Sequence, residues 1–132
     1  MEPECILVSA PTKAGERFIC ELLNRHLPVA AMTNSKAEAI RLKELGVKTI
    51  IIVDTMDQLA WKNPKFPVGQ VYLFERSFTL CCRYIQICRS WTSKPICVVT
   101  DSDHARLVYK SLGAAFVVHS RSEDVSFLIP KG

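Results

Sequence analysis

At 132 residues, with 48% hydrophobic and 23% charged side chains, the sequence has the size and composition of one folded domain, which excludes a disordered or low-complexity chain. A domain of this length buries roughly two-thirds of its unfolded surface on folding, so it needs neither disulfides nor a metal to hold together. The formal net charge of +4 is modest, and the best basic-aromatic stretch, WKNPKF at 61–66, reads as a solvated loop, so a nucleic-acid partner is not expected.

Taken in chain order, strand and helix signals alternate. CILVSA (5–10) is a short apolar run ending in turn-forming residues, a buried strand. Phe18, Leu22 and Leu23 then recur at helical spacing and predict a helix from about Gly15 to His26. PVAAM (28–32) is a second strand. Ser35 opens SKAE, a capping box in which Ser35 and Glu38 would satisfy each other's free amides. The helix it starts stops at Gly46. VKTIIIV (47–53) is almost continuously apolar, the pattern of a parallel strand covered on both faces. Residues 54–69 are irregular, with room for one short helix before the prolines. QVYLFE (70–75) is strand four, and a helix from Ser77 to Trp91 follows. PICVVT (95–100) is strand five. DSDHARLVYKSLG (101–113) reads as a helix capped by Asp101 or Asp103 and stopped at Gly113, and AAFVVHS (114–120) is strand six. VSFLI in the tail would add an edge strand.

RLKELGVKTIIIVDT and LVYKSLGAAFVVHSR share one plan: helix, Leu-Gly, then a buried strand with a polar end. Two such halves build a doubly wound sheet. The expected fold is therefore α/β: one domain over 1–132, a mostly parallel six-stranded Rossmann-like sheet with helices on both faces. No apolar run approaches the ~18 residues of a membrane span. The acidic opening MEPEC lacks the basic start of a secretory leader, so a cytoplasmic setting is expected. The six cysteines form no CxxC pair and no zinc-like cluster with histidine, and read as small buried hydrophobes.

Ligands of open parallel sheets bind beyond the carboxyl ends of the strands. At the end of strand one stands SAPTKAG. A dinucleotide loop uses glycines there for a tight turn, close approach to pyrophosphate and helix packing, but Ala10, Pro11 and Thr12 fill the turn, and Pro11 has no N–H to donate. Gly15 remains for close approach at the helix start, where exposed amides favour an anion. Ser9, Thr12 and Lys13 would add hydroxyls and a positive charge. After strand two the sequence reads MTNSK, without the acid that accepts ribose hydroxyls. Asn34, Ser35 and Lys36 would suit a 2′-phosphate, favouring NADP over NAD, or would form nothing more than a helix cap. Asp54 ends strand three. A phosphorelay receiver is excluded, because SAPTK lacks the acidic pair that would hold Mg²⁺.

Two segments, KAEAIRLKELGVKTIIIVDTMDQL and KPICVVTDSDHARLVYKSLGAAFVVHS, resemble the TrkA-N or RCK family, the cytosolic NAD-binding regulatory domains of potassium transport systems. The similarity runs in order along nearly the whole chain. The first half is also similar to NmrA-like atypical short-chain dehydrogenases, whose further substrate-binding region has no counterpart here. The resemblance implies a Rossmann fold, places the family's phosphate loop on Ser9 to Gly15 and its ribose acid at Thr33 or Asn34, and matches its acid after strand three to Asp54.

Catalytic signatures are missing. Neither Tyr84 nor Tyr109 is followed four positions on by Lys, and GxSxG and HExxH are absent. On the helix at 77–91, Phe78, Cys81, Cys82, Ile85 and Cys88 form one apolar stripe, and Leu80, Tyr84, Ile87 and Trp91 form a second beside it. One stripe suffices to face a sheet, so the second would either be buried by the tail or a neighbouring helix or make a homodimer surface. The expected function is a non-catalytic regulatory or sensor module that binds a nucleotide or another anion. Its cofactor is unspecified, with NADP or another nucleotide as candidates, and its site residues are Ser9, Thr12, Lys13, Gly15, Asn34, Ser35 and Asp54. The alternatives are a degenerate Rossmann-type domain acting only in protein contact or, third, a small NADP-dependent oxidoreductase.

Overall fold

The computed structural model of the protein describes residues 4–54, 64–102, 105–122 and 124–129. Six strands form one sheet: β1 (Cys5–Ser9), β2 (Val29–Thr33), β3 (Thr49–Ile52), β4 (Val68–Phe74), β5 (Ile96–Thr100) and β6 (Phe116–His119). Their order is β3-β2-β1-β4-β5-β6, and every neighbouring pair is parallel. Strand order reverses between β1 and β4, the arrangement of a doubly wound dinucleotide-binding sheet. The short helix expected within 54–69 lies outside the described residues.

The helices α1 (Lys13–Asn24) and α2 (Lys36–Leu45) share a core with one face of the sheet, while α3 (Phe78–Trp91) and α4 (Arg106–Leu112) share one with the other. The strands supply both cores by alternation. Leu7 packs toward α3 and its neighbour Val8 toward α1, and Leu73 and Phe74 divide in the same way. Such two-sided burial explains why the strands read as unbroken apolar runs.

Local chemistry fixes the ends of the elements. Helix α1 starts two residues earlier than its apolar spacing suggests, because the Thr12 hydroxyl accepts the Gly15 N–H at 3.0 Å and makes Thr12 the cap. Only half of the expected capping box forms at α2. Ser35 Oγ accepts the Glu38 N–H at 3.2 Å, but the Ser35 N–H goes to Thr33 Oγ1 at 3.1 Å. The repeated Leu-Gly pairs end α2 and α4 with Gly46 at φ 110° and Gly113 at φ 125°, in the region that favours glycine. Ala105 holds the cap position of α4 without a side-chain bond, so Asp101 is not its cap, and Asp103 lies outside the described residues. VSFLI is not an edge strand. Ser126–Leu128 form a short 3-10 turn that lays Val125 and Ile129 onto the α1 face of the sheet, where Tyr72 donates to the Leu128 carbonyl at 3.1 Å.

The second apolar stripe of α3 is occupied within the chain. Tyr84 and Ile87 are buried, and Leu80 and Trp91 pack partly buried against the same core. This helix shares its core with Met32, Val53 and Phe66 as well as with Tyr109 and Ala114 of the α4 segment, so it needs apolar groups over a wide arc. A homodimer through residues 77–91 therefore loses the spare stripe on which that expectation rested. At the lower end of the same helix, the Arg89 guanidinium donates to the carbonyls of Gly113 (3.1 Å), Lys94 (3.1 Å) and Thr92, fastening α3, the start of β5 and the end of α4 together.

Gly15 packs closely against the end of β1. A Cβ built there would lie 2.8 Å from Ala10 Cα, 2.9 Å from Ala10 Cβ and 3.1 Å from the Phe74 ring. Gly15→Ala should therefore lower unfolding stability by about 1–3 kcal/mol through overpacking, read as a fall in the urea midpoint at unchanged slope.

Candidate functional site

All six strands point their carboxyl ends the same way, so the loops after them form one polar end of the molecule. Set against the GxGxxG spacing, the loop after β1 has Ala10 at the first glycine, Thr12 at the second and Gly15 at the third. The third position serves helix-to-strand packing, and Gly15 is used for that: it is buried against Ala10 and Phe74. Close approach of Gly15 to a ligand, as expected from the sequence, is thereby replaced by contact with the strand end. Thr12 puts a side chain where a glycine would leave backbone bare, and it occupies the Gly15 amide itself. The Glu16 N–H bonds to the Thr12 carbonyl at 3.0 Å. Helix geometry leaves the first amides, those of Lys13 and Ala14, without intrahelical partners, and these are what the helix start offers an anion.

The crevice at the reversal point, between the loops after β1 and β4, is nearly closed. Ser9, Pro11, Arg76, Ser77, Leu80 and Tyr84 help to line a space of only about 10 Å³, no more than one water would occupy. Ser9 is buried there. Open space lies to one side, beyond the ends of β4, β5 and β6. A cleft of about 350 Å³ is bounded by Thr12, Lys13 and Ala14 at the start of α1, by Glu75, Thr100 and Asp101, and by Ser120, Arg121 and Ser122 after β6.

A hydrogen-bonded carboxylate belongs to this cleft. Glu75 accepts from the Thr100 hydroxyl at 2.6 Å and from the Tyr109 hydroxyl, and Thr100 Oγ1 in turn accepts the Ser102 N–H at 3.0 Å. Tyr109 is fully buried, so its hydroxyl ties α4 to the end of β4. Beside it, His119 Nε2 and the Asp101 carbonyl lie 3.0 Å apart. The sequence indicates that these residues are strand-end groups. It does not indicate that those after β5 and β6, rather than those after β2 and β3, share a cleft with the first loop.

The remaining expected site residues stand elsewhere. Asn34 is exposed at the end of β2, Ser35 is engaged as the cap of α2, and Asp54 is exposed after β3. An acid does return to the end of β2 from α2. Burial raises the pKa of Glu38, while the Thr33 side-chain hydrogen bond and the Arg76 charge oppose that rise. The SKAE pattern marks Glu38 as a capping residue and hides this second position, which depends on Thr33 taking over the Ser35 amide. Across from it, Tyr84 has its hydroxyl against the Asn34 backbone, and burial pushes its pKa up.

None of the six cysteines forms a disulfide. Burial is the main cause that pushes Cys97 up to about 11 and raises Cys81 and Cys88 well above the usual thiol range. These three are structural hydrophobes rather than reactive thiolates. No helix among the described residues is long and apolar enough to cross a membrane.

No protein-family model matches the sequence, and no curated protein matches it. Solved structures do match the fold. The TrkA-N domain of the inner membrane protein ybaL from Escherichia coli superposes with a TM-score of 0.69 at 14% identity, covering 89% of this chain and 87% of that one. The fold is Rossmann-type and resembles TrkA-N. The NAD(P)-binding domain of an exopolyphosphatase-related protein from Archaeoglobus fulgidus matches with a TM-score of 0.71 at 20% identity, over 89% of this chain and 88% of that one. A GsuK channel bound to NAD matches with a TM-score of 0.73 at 17% identity over 87% of this chain, which spans 21% of the channel chain. Identities this low speak to the shared architecture alone.

Two expectations follow from the site geometry. Tyr109→Phe deletes a buried donor and leaves the Glu75 carboxylate short of one partner, which should cost about 1–3 kcal/mol in chemical denaturation at neutral pH. The raised pKa of Glu38 means that the folded state holds this proton more tightly than the unfolded chain. Its contribution is favourable at acid pH and declines as pH rises through the ordinary carboxylate range into the raised value. Glu38→Gln should therefore raise the melting temperature relative to the parent at pH 7, with the difference shrinking toward pH 4.

Proposed function

We propose that this domain is a non-catalytic regulatory or sensor module that takes a nucleotide, or another small phosphorylated ligand, at the carboxyl end of its sheet. The observation that carries this reading is the cleft beside the start of α1, where the Lys13 and Ala14 amides, the Lys13 ammonium and the Arg121 guanidinium meet polar groups from β4 and β5. Helix-start amides and two cations would bind a phosphate, while Glu75, Thr100 and Asp101 would meet hydroxyls. Ser9 lies behind this phosphate position, and Gly15 seats the helix that forms it. If the ligand extends toward β2 and β3, Asn34 and Lys36 would face a 2′-phosphate and Ser35 would hold the helix start, with Asp54 at the outer limit. Glu38 then supplies the acceptor for ribose hydroxyls that the segment after β2 lacks. NADP, another nucleotide and a simpler anion all fit within this reading.

Regulatory use is supported by the company the fold keeps. The ybaL match is a TrkA-N domain of a membrane protein, and the GsuK match is a channel bound to NAD. A cytoplasmic setting belongs to the same reading.

A second reading, a degenerate Rossmann-type domain used only for protein contact, is favoured by one specific observation: the reversal-point crevice is filled and the Gly15 amide is already satisfied by Thr12. The two readings separate in a thermal-shift series with NAD, NADH, NADP, NADPH, ATP and AMP. Ligand present at a hundredfold excess over its Kd should stabilise the domain by about 2.7 kcal/mol, and Lys13→Ala combined with Arg121→Ala should abolish the shift without lowering the unliganded melting temperature. Absence of a shift with every ligand would sink the binding reading and leave the second.

A further inference from the structure

A dinucleotide on a doubly wound sheet places a nucleoside on each side of the reversal point and carries its pyrophosphate across. Here the ground between is filled. Tyr84 is 3% exposed and Ser9 2%. Ser77 is held as the cap of α3, its hydroxyl accepting the Leu80 N–H at 3.3 Å, and Pro11 has a fixed backbone angle. About 10 Å³ remains among them, and the Thr12 hydroxyl holds the Gly15 amide. Buried, capping and proline residues do not swing aside as an exposed side chain does.

The cleft toward β6 has its own charge pattern. After β6 the chain turns back toward α1, where Asp124 and Ser126 lie beside Arg17 and Glu21. Lys13 is one turn before Arg17 on the same face of that helix, and the segment one step earlier in the tail, Arg121 and Ser122, borders the same cleft as Lys13. Glu75 and Asp101 enter from the ends of β4 and β5. Glu75 accepts from Thr100 on one oxygen and from Tyr109 on the other. A carboxylate has about four acceptor positions, so room is left for a ligand hydroxyl.

On the reading that this cleft binds a ligand, we infer that the ligand is a sugar monophosphate, with or without a base, held on the β4–β6 side, and that dinucleotides and polyphosphates are selected against. Lys13 and Arg121 attract one phosphate, whereas Glu75 and Asp101 accept hydroxyls and repel a second phosphate. A nucleoside without phosphate leaves both cations unused, and bare phosphate sets both carboxylates against an anion. The cleft volume, about 350 Å³, stands near the lower end of the roughly 300–1,000 Å³ range of ligand pockets, a size for one nucleotide rather than two.

Calorimetric titration of the full chain tests this with ribose 5-phosphate, nicotinamide mononucleotide, AMP, NAD, NADP, ATP and inorganic phosphate. The best monophosphorylated sugar should bind at least about tenfold more tightly than NAD, NADP, ATP or inorganic phosphate. A smaller margin over any of these overturns the inference while leaving the binding reading in place. Arg121→Ala should weaken the best ligand by a similar factor with the circular dichroism spectrum unchanged, and unaltered affinity counts against the inference. Should that variant unfold, hydrogen exchange on the parent decides: the ligand should protect amides at 120–122, and protection gained at 33–38 instead overturns the assignment to the β6 side. Silence with every probe removes the binding reading itself, and this inference with it.

Discussion

The contact between Gly15 and Ala10 sets the position of α1, and much of the upper end of the molecule follows from it. With no Cβ between them, the helix lies directly on the end of β1, its Phe18 reaches the rings of Tyr72 and Phe74, and its first amides stand beside the ends of β4 and β5. A larger residue at position 15 would lift the helix and move those amides. Thr12 completes the arrangement by closing the Gly15 amide, so the available donors narrow to those of Lys13 and Ala14. What survives of a glycine-rich loop is thus the glycine with a packing role, while the positions that would bring backbone close to a pyrophosphate carry side chains.

Sheet order then determines where a ligand has room. Reversal between β1 and β4 normally opens a crevice, but α3 fills it with Leu80 and Tyr84, and a cleft remains toward β6. Polar groups follow the same division. On the open side, Glu75, Thr100 and Tyr109 are joined by hydrogen bonds that attach α4 to the sheet. On the other side, Glu38 folds back toward Thr33 and offers a carboxylate from a helix instead of from a strand end. A ligand spanning both sides would have to pass over the filled crevice.

The architecture was legible because burial on two faces leaves a strong trace in β5, where Ile96 to Val99 are apolar and buried, and because both Leu-Gly pairs sit where a helix must turn back into a strand. The equally apolar TIII is instead an edge strand with Ile52 half exposed, so coverage on both faces does not hold there. The likeness to TrkA-N and RCK domains, visible in the same segments, agrees with the superposed structures. Features that depend on neighbours distant in sequence were not legible. The second stripe of α3 looked surplus because nothing local shows that α3 must meet the sheet, the Phe66 region and α4 at once. Gly15 looked like a ligand-facing glycine because its contact is with Ala10 across a turn. Glu38 looked like half of a capping box because the competing bond from Thr33 comes from the preceding strand. VSFLI has the composition of a strand, yet it crosses the sheet face instead of joining its edge.

Arg89 gives the two ends of the molecule different mechanical characters. Its guanidinium gathers three carbonyls at the lower end of the α3–α4 layer, where side chains and backbone are cross-tied and Gly113 leaves no space for adjustment. At the upper end, the described ties are the Glu75 bonds to Thr100 and Tyr109 and the 3.0 Å contact between His119 Nε2 and the Asp101 carbonyl. The Arg89 tie thus lies where β5 starts and α4 ends, at the opposite end of the sheet from the Glu75 bonds. A ligand that drew Glu75 away from Tyr109 would therefore loosen the upper hold on α4 while its lower end stayed fastened by Arg89.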